Sequence, residues 1–229
     1  MSDQALASGD SEFNDSGLSS VVADWAAEKQ TFHVPWGKAM MWIFLVSDTF
    51  IFTCFLTAYM NVRTTTTDPW PYPSEVFALT LFGQSIPLVL IAIMTFVLIT
   101  SSGTMALAVR YAHFRDRKKI FIFMAITALF GATFVGMQAF EWTKLISEGV
   151  RPWGNPMGAP QFGSVFFMVT GFHGLHVSIG VIYLMIVATK VLKGDYDRKD
   201  NYEIVEITGL YWHFVDLVWV FIFAFFYLW

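Results

Sequence analysis

The sequence predicts an all-α fold, a polytopic membrane bundle with five transmembrane helices. Three observations carry this reading. Of 229 residues, 55% are hydrophobic and only 14% are charged, whereas a soluble domain carries charge on roughly a quarter of its residues. The mean hydropathy is +0.54. Five separate segments also reach the roughly 20 apolar residues that a helix needs to cross the hydrocarbon core. The formal net charge of -4 resides in tails and loops. No basic helix or aromatic–basic patch stands outside the apolar spans, so no nucleic acid is expected as a partner.

Taken in order, residues 1–37 read as a polar cytoplasmic N-terminal tail, and 38–229 as the five-helix transmembrane domain. The tail opens "MSDQALASGDSEFNDSGLSS", with Asp3, Asp10, Glu12 and Asp15 ahead of any basic residue. A cleavable secretory signal starts basic and turns apolar at once, so the tail is expected to be retained and disordered. A short helix over Val21–Gln30 is compatible with its pattern. The first span is Ala39–Met60. The second is Pro87–Val109, with the proline in the first turn, where its missing N–H costs little. The third is Ile120–Phe140, the fourth Phe162–Thr189 and the fifth Ile207–Trp229. The connections "TTTTDPWPYP", "SEGVRPWGNPMGAP" and "KGDYDRKDNYE" carry ordinary turn chemistry. No repeat of 20–50 residues is visible, and an odd span count argues against a transporter built from two matching halves.

Basic residues orient the bundle. With the N-terminus cytoplasmic, that side holds Lys29, Lys38, Arg110, Arg115, Arg117, Lys118, Lys119, Lys190, Lys193, Arg198 and Lys199. The other side holds only Arg63, Lys144 and Arg151. The C-terminus then emerges outside, with Tyr227 and Trp229 as interfacial aromatics and Trp70, Tyr72 and Trp153 near the same surface. Cys54 is the sole cysteine, so an internal disulfide and a cysteine-based metal site are both excluded. Within a span it reads as a small apolar filler.

Ionisable groups inside spans are expensive and mark sites or locks. Asp48, in "WIFLVSDTFIF", lies near the middle of the first span. It requires a partner, an interior position or a retained proton. Glu141 ends the third span in "GMQAFEW", with Gln138 three residues earlier on the same face. His173 and His176, in "GFHGLHVSIG", lie three apart on the fourth span. Depth matching brings them near Glu141, and a Glu–His pair between these spans is expected. Gly171, Gly174 and Gly180 flank the histidines and allow close helix approach. His213 and Asp216, in "YWHFVDLVW", form a second i,i+3 pair on the fifth span, toward the inner half. Carboxylate-bridged metal bundles use paired Glu-x-x-His motifs, and this chain has none. The ligand count therefore favours structural polar pairs over a metal centre.

The long stretches "GSVFFMVTGFHGLHVSIGVIYL" and "EITGLYWHFVDLVWVFIFAFFYLW" resemble subunit III of the heme-copper respiratory oxidases. "WIFLVSD", "ITSSGTMALA" and "FGATFVGMQAFEW" fit the same family in the same order, so the resemblance covers about Trp36 to Trp229. It is weak in the loops 61–84 and 147–161. The resemblance implies a subunit of a proton-pumping terminal oxidase, cytochrome c or quinol oxidase, that reduces oxygen to water in a bacterial inner membrane. It implies no redox center in this chain, heme and copper in partner subunits, and bound phospholipid. The implied partners are subunit I as the main contact, subunit II and small subunits, with cytochrome c or quinol met only through the complex. It implies no catalytic residue and no metal ligand here, structural roles for His173 and His176 with Glu141 as their partner, and lipid-headgroup contacts for Lys190 and Lys193. Longer members have seven helices and a carbodiimide-reactive glutamate where Asp48 stands. This chain resembles the five-helix form, and the resemblance implies that Asp48 is an intramembrane carboxylate linked to proton uptake. Two alternatives stand beside this reading: an accessory subunit of a nitric oxide reductase, and a proton-coupled transporter built around Asp48 with Thr49, Thr53 and Thr57 along its path.

Overall fold

The computed structural model describes residues 35–81, 84–196 and 202–228. Most of the tail, including Val21–Gln30 and Lys29, lies outside the described residues, as do Arg198, Lys199 and Trp229. The chain divides into compact units at Met1–Ala39 and Met40–Trp229, and the second holds the helical bundle.

Five helices are long and apolar enough to span a membrane. They are α1 (Trp36–Thr65), α3 (Val89–His113), α4 (Arg117–Ser147), α5 (Gln161–Lys193) and α6 (Glu203–Phe223), the last continued by a π-helical turn at Ala224–Leu228. The first four are longer than the apolar runs that predict them, because polar end residues complete their turns, and α6 starts four residues earlier than its run. Asp116 accepts from the Lys119 backbone N–H at 3.3 Å and caps α4. Gly194, at φ +79°, takes the left-handed position that ends α5. Glu203 and Glu206 occupy the first turn of α6, where the helix dipole favours negative charge.

The connection after α1 holds more than a turn. A four-residue helix α2 (Pro73–Val76) starts on proline, and strands β1 (Ala78–Leu81) and β2 (Gln84–Pro87) pair antiparallel, Leu79 opposite Ile86. The sequence pattern puts Pro87 in the first turn of the second span. Instead it closes β2, where a residue without an N–H is tolerated. Leu88, at φ +61°, then turns the chain into α3.

Helices α3, α4, α5 and α6 pack in a ring, each against two neighbours. Trp212 and Trp219 of α6 fill its centre, with their indole N–H groups donating to Ser101 Oγ at 2.9 Å and Thr95 Oγ1 at 3.0 Å. A Cβ at Gly131 would collide with the Trp212 ring, and one at Gly180 would press on Tyr211 and Trp212 at 3.0–3.1 Å. Two of the bundle's helices thus give up side chains to seat one indole. No helix of this chain approaches Gly174 among the described residues, since a Cβ there meets nothing within 4 Å.

Helix α1 stands off from this ring and is held by long side chains. Phe52 meets Phe172 at 5.4 Å, Phe44 meets Tyr211 at 6.2 Å, and Tyr59 packs on Phe226 at 4.1 Å. The Tyr59 hydroxyl donates to the Phe225 carbonyl at 3.0 Å. Cys54 is exposed on α1 and does not fill a packing gap.

Candidate functional site

The contacts made by the intramembrane acids and histidines fall into three groups rather than one centre. The first ties α1 to α5. Asp48 Oδ2 lies 3.0 Å from His176 Nε2, and His176 Nδ1 faces the Phe172 carbonyl at 2.8 Å. A carbonyl only accepts, so Nδ1 carries a hydrogen and the Asp48–Nε2 contact holds one further proton between two groups. The line of approach makes this a charge contact rather than an aligned hydrogen bond. Asp48 is 4% exposed, so its single partner matters.

The second group joins α4 to the π-turn after α6. Gln138 Nε2 donates to Glu141 Oε2 at 2.9 Å, and the Tyr227 hydroxyl donates to the same oxygen at 3.2 Å. Glu141 Oε1 has no partner, and the residue borders a void of about 10 Å³ lined also by Val76, Phe77, Leu90, Ile91, Lys144 and Leu145. The sequence pattern puts Tyr227 at the membrane interface. It is 1% exposed, because the π-turn swings it inward onto Trp219.

The expected Glu141–His pair does not form. His176 is taken by Asp48, and His173 sits in an aromatic cage. Its ring stacks on Trp219 at 5.4 Å and meets the edges of Phe134 at 5.9 Å and Phe52 at 6.4 Å. Neither ring nitrogen has a hydrogen-bond partner. Three residues along a helix amount to a 60° rotation. That is enough to aim His173 into the ring and His176 at α1.

The third group bridges α3 and α6. His213 Nδ1 bonds Ser102 Oγ. The histidine of the α6 pair is thus tied to a serine of another helix, a link that no spacing within α6 could indicate.

Among the described residues, no group of three or more His, Cys, Asp or Glu side chains could hold a metal ion. Each intramembrane histidine is committed elsewhere, two to hydrogen bonds and one to aromatic rings. Two apolar grooves flank α1. One, of about 450 Å³, runs between α1 and α6 past Thr49, Phe52, Leu56, Phe214 and Phe221. The other, of about 550 Å³, lies between Met41, Phe44, His176, Ile179, Tyr183 and Tyr211.

The basic residues cluster at the ends of the bundle as their sequence positions require. Arg117 packs over Gly194, which brings the α3–α4 and α5–α6 connections together at one end. Lys190 and Lys193 are exposed in the last turn of α5 at that end. At the other end Arg63 donates to the Tyr59 hydroxyl at 2.9 Å, and Lys144 lies 3.6 Å from Glu148.

These features define an integral membrane protein, a helical bundle in which several intramembrane polar groups join its own helices. The family model for cytochrome c oxidase subunit III matches residues 23–229. Among curated proteins, the chain is 33% identical over 187 residues to a probable quinol oxidase subunit 3 of Staphylococcus saprophyticus, covering 82% of this chain and 86% of the relative. Its identity to the protein of that name from Staphylococcus aureus is 34%, with the same coverage. The chain belongs to the subunit III family of the heme-copper respiratory oxidases. It is therefore a subunit of a multi-subunit oxidoreductase of respiratory electron transport.

Proposed function

We propose that this chain is a non-catalytic subunit III of a proton-pumping terminal oxidase that reduces oxygen to water, and that it stabilises subunit I, its lipids and its proton uptake. The observation that carries this is the use of the polar residues. Asp48, Glu141, His176 and His213 each tie one element of the bundle to another, and no three of them converge. Heme and copper belong to the partner subunits in this reading. Subunit I is the main partner, with subunit II and small subunits beside it. The names of the relatives from the two staphylococci support a quinol as electron donor.

The apolar grooves beside α1 suit phospholipid acyl chains, and Lys190 and Lys193 suit headgroups at the cytoplasmic surface. The N-terminus is cytoplasmic and the C-terminus outside, since the larger basic cluster marks the inner end. The transporter alternative finds no support in α1. Thr49 and Thr53 turn their hydroxyls onto carbonyls of their own helix at 2.7 and 2.8 Å, and so offer no polar path.

The test is to purify the complex through a tag on this chain and to compare it with the complex depleted of it. Oxygen consumption should start at a similar rate in both and fall progressively during turnover in the depleted form, with the redox difference spectrum unchanged. Immediate and complete loss of activity would refute a supporting role.

A further inference from the structure

The carboxyl group of Glu141 is bonded on one side only. Gln138 Nε2 and the Tyr227 hydroxyl both donate to Oε2, at 2.9 and 3.2 Å, while Oε1 has no hydrogen-bond partner among the described residues. The residue is 3% exposed, so bulk solvent does not supply what is missing. A buried carboxyl oxygen without a hydrogen bond is costly, and such atoms are normally satisfied by protein or by an enclosed water.

Room for one water lies beside it. The void that Glu141 borders measures about 10 Å³, close to the smallest volume that admits a single water and too small for any larger ligand. Its walls are Val76 and Phe77 of α2 and its C-cap, Ile91 of α3 and Leu145 of α4, all buried. A wholly apolar chamber stays dry, whereas water is held where it finds two to four polar partners.

The second partner is the start of α3. Leu90 and Ile91, which line the same void, are the second and third residues of that helix. Their backbone N–H groups belong to the first turn, which has no acceptor within the helix, and Leu88 at the N-cap provides no side-chain hydrogen bond. The positive end of the helix dipole lies there too and favours an oxygen. A carboxyl oxygen that lacks a donor thus shares a one-water chamber with a helix end whose first amides lack an intrahelical acceptor. A water can serve both, since it accepts and donates at once.

We propose that this void is a binding site for one ordered water, which accepts from the backbone N–H of Leu90 or Ile91 and donates to Glu141 Oε1. Glu141 is then the junction of three elements, because Oε2 already holds the π-turn through Tyr227 and the water adds the start of α3. The inference stands on the packing of this chain and not on the oxidase reading above. The rival for Oε1 is Lys144, which also lines the void and lies 3.6 Å from Glu148.

The experiment turns on a sign. Val76→Ile adds one methyl group to the chamber. In a dry void the methyl fills space, and stability stays level or rises. In a hydrated void it expels the water and strands Oε1. Measured on the full chain as purified with its complex, Val76→Ile should lower the thermal midpoint by about 2–4 °C, the effect of one lost hydrogen bond in a chain of this size. In a Glu141→Met background, which has no oxygen to strand, the same change should be neutral or stabilising. A second measurement needs no variant: a map of the complex fine enough to show ordered water should hold one peak within about 3.2 Å of Glu141 Oε1 and of the Leu90 or Ile91 nitrogen. A midpoint that rises in the parent, equal losses in both backgrounds, an empty chamber, or Lys144 Nζ in the place of the water each overturns the inference.

Discussion

The contact between Asp48 and His176 should be the strongest single tie between α1 and the rest of the bundle. The two side chains are 3.0 Å apart and only 5% and 12% exposed. At that separation, and an effective dielectric of about 20, the Coulomb attraction of a charged pair is about 5.5 kcal/mol. Desolvation cancels much of it, and removing one partner from a buried pair typically costs about 3–5 kcal/mol because the other is stranded. His176→Leu should therefore destabilise α1 docking by about 3 kcal/mol, and Asp48→Leu by a similar amount. The double variant should cost far less than their sum, since two apolar side chains of similar volume leave no orphaned charge. The assay is a double-mutant cycle on reversible unfolding in mixed detergent micelles, read by the coupling energy. Additivity within about 0.5 kcal/mol would refute the reasoning, because the residues would then not meet in the working protein.

Four further outcomes are expected from the packing. Tyr227→Phe should cost about 1 kcal/mol by removing a donor to Glu141, and should couple to Glu141→Gln but not to His176→Leu in the same assay. His173→Phe should fall within about 1 kcal/mol of the parent in thermal unfolding, since neither imidazole nitrogen has a partner to lose. His173→Asn, which adds polar atoms without aromatic contacts, should be clearly worse. Gly131→Ala should destabilise by about 1–3 kcal/mol through its collision with Trp212, whereas Gly136→Ala, with open space around it, should be neutral or slightly stabilising on the same instrument. At the α3–α4 connection, the backbone N–H and side chain of Lys119 hold the Asp116 carboxyl below its ordinary value. A depressed folded-state value means the cap stabilises α4 at neutral pH and is lost as pH falls through that value. Amide exchange at Lys119 should accelerate there, and in Asp116→Ala it should be fast at every pH.

Much of this protein can be read along the chain. The spans, their number and the segregation of basic residues come from apolar runs of membrane length, which any helix must satisfy whatever it packs against. The family could be read for the same reason, since its long stretches lie within those spans. Asp48, Glu141, His173, His176, His213 and Asp216 could each be singled out, because a polar group in hydrocarbon is costly wherever the fold puts it. Their partners could not. Depth along a helix is encoded in sequence position, but rotation about its axis is set by how neighbours pack. Glu141 and the histidines could share a level and still face different ways. The aromatic ring around His173 depends on Trp219 of another helix. The Tyr227–Glu141 bond depends on a widened last turn, and the Ser102–His213 bond on the side-by-side placement of α3 and α6. Pairings between side chains far apart in the chain, and the standing-off of α1 that leaves grooves at its sides, exist only once the helices have taken their places, because each is a distance between elements and no single element specifies it.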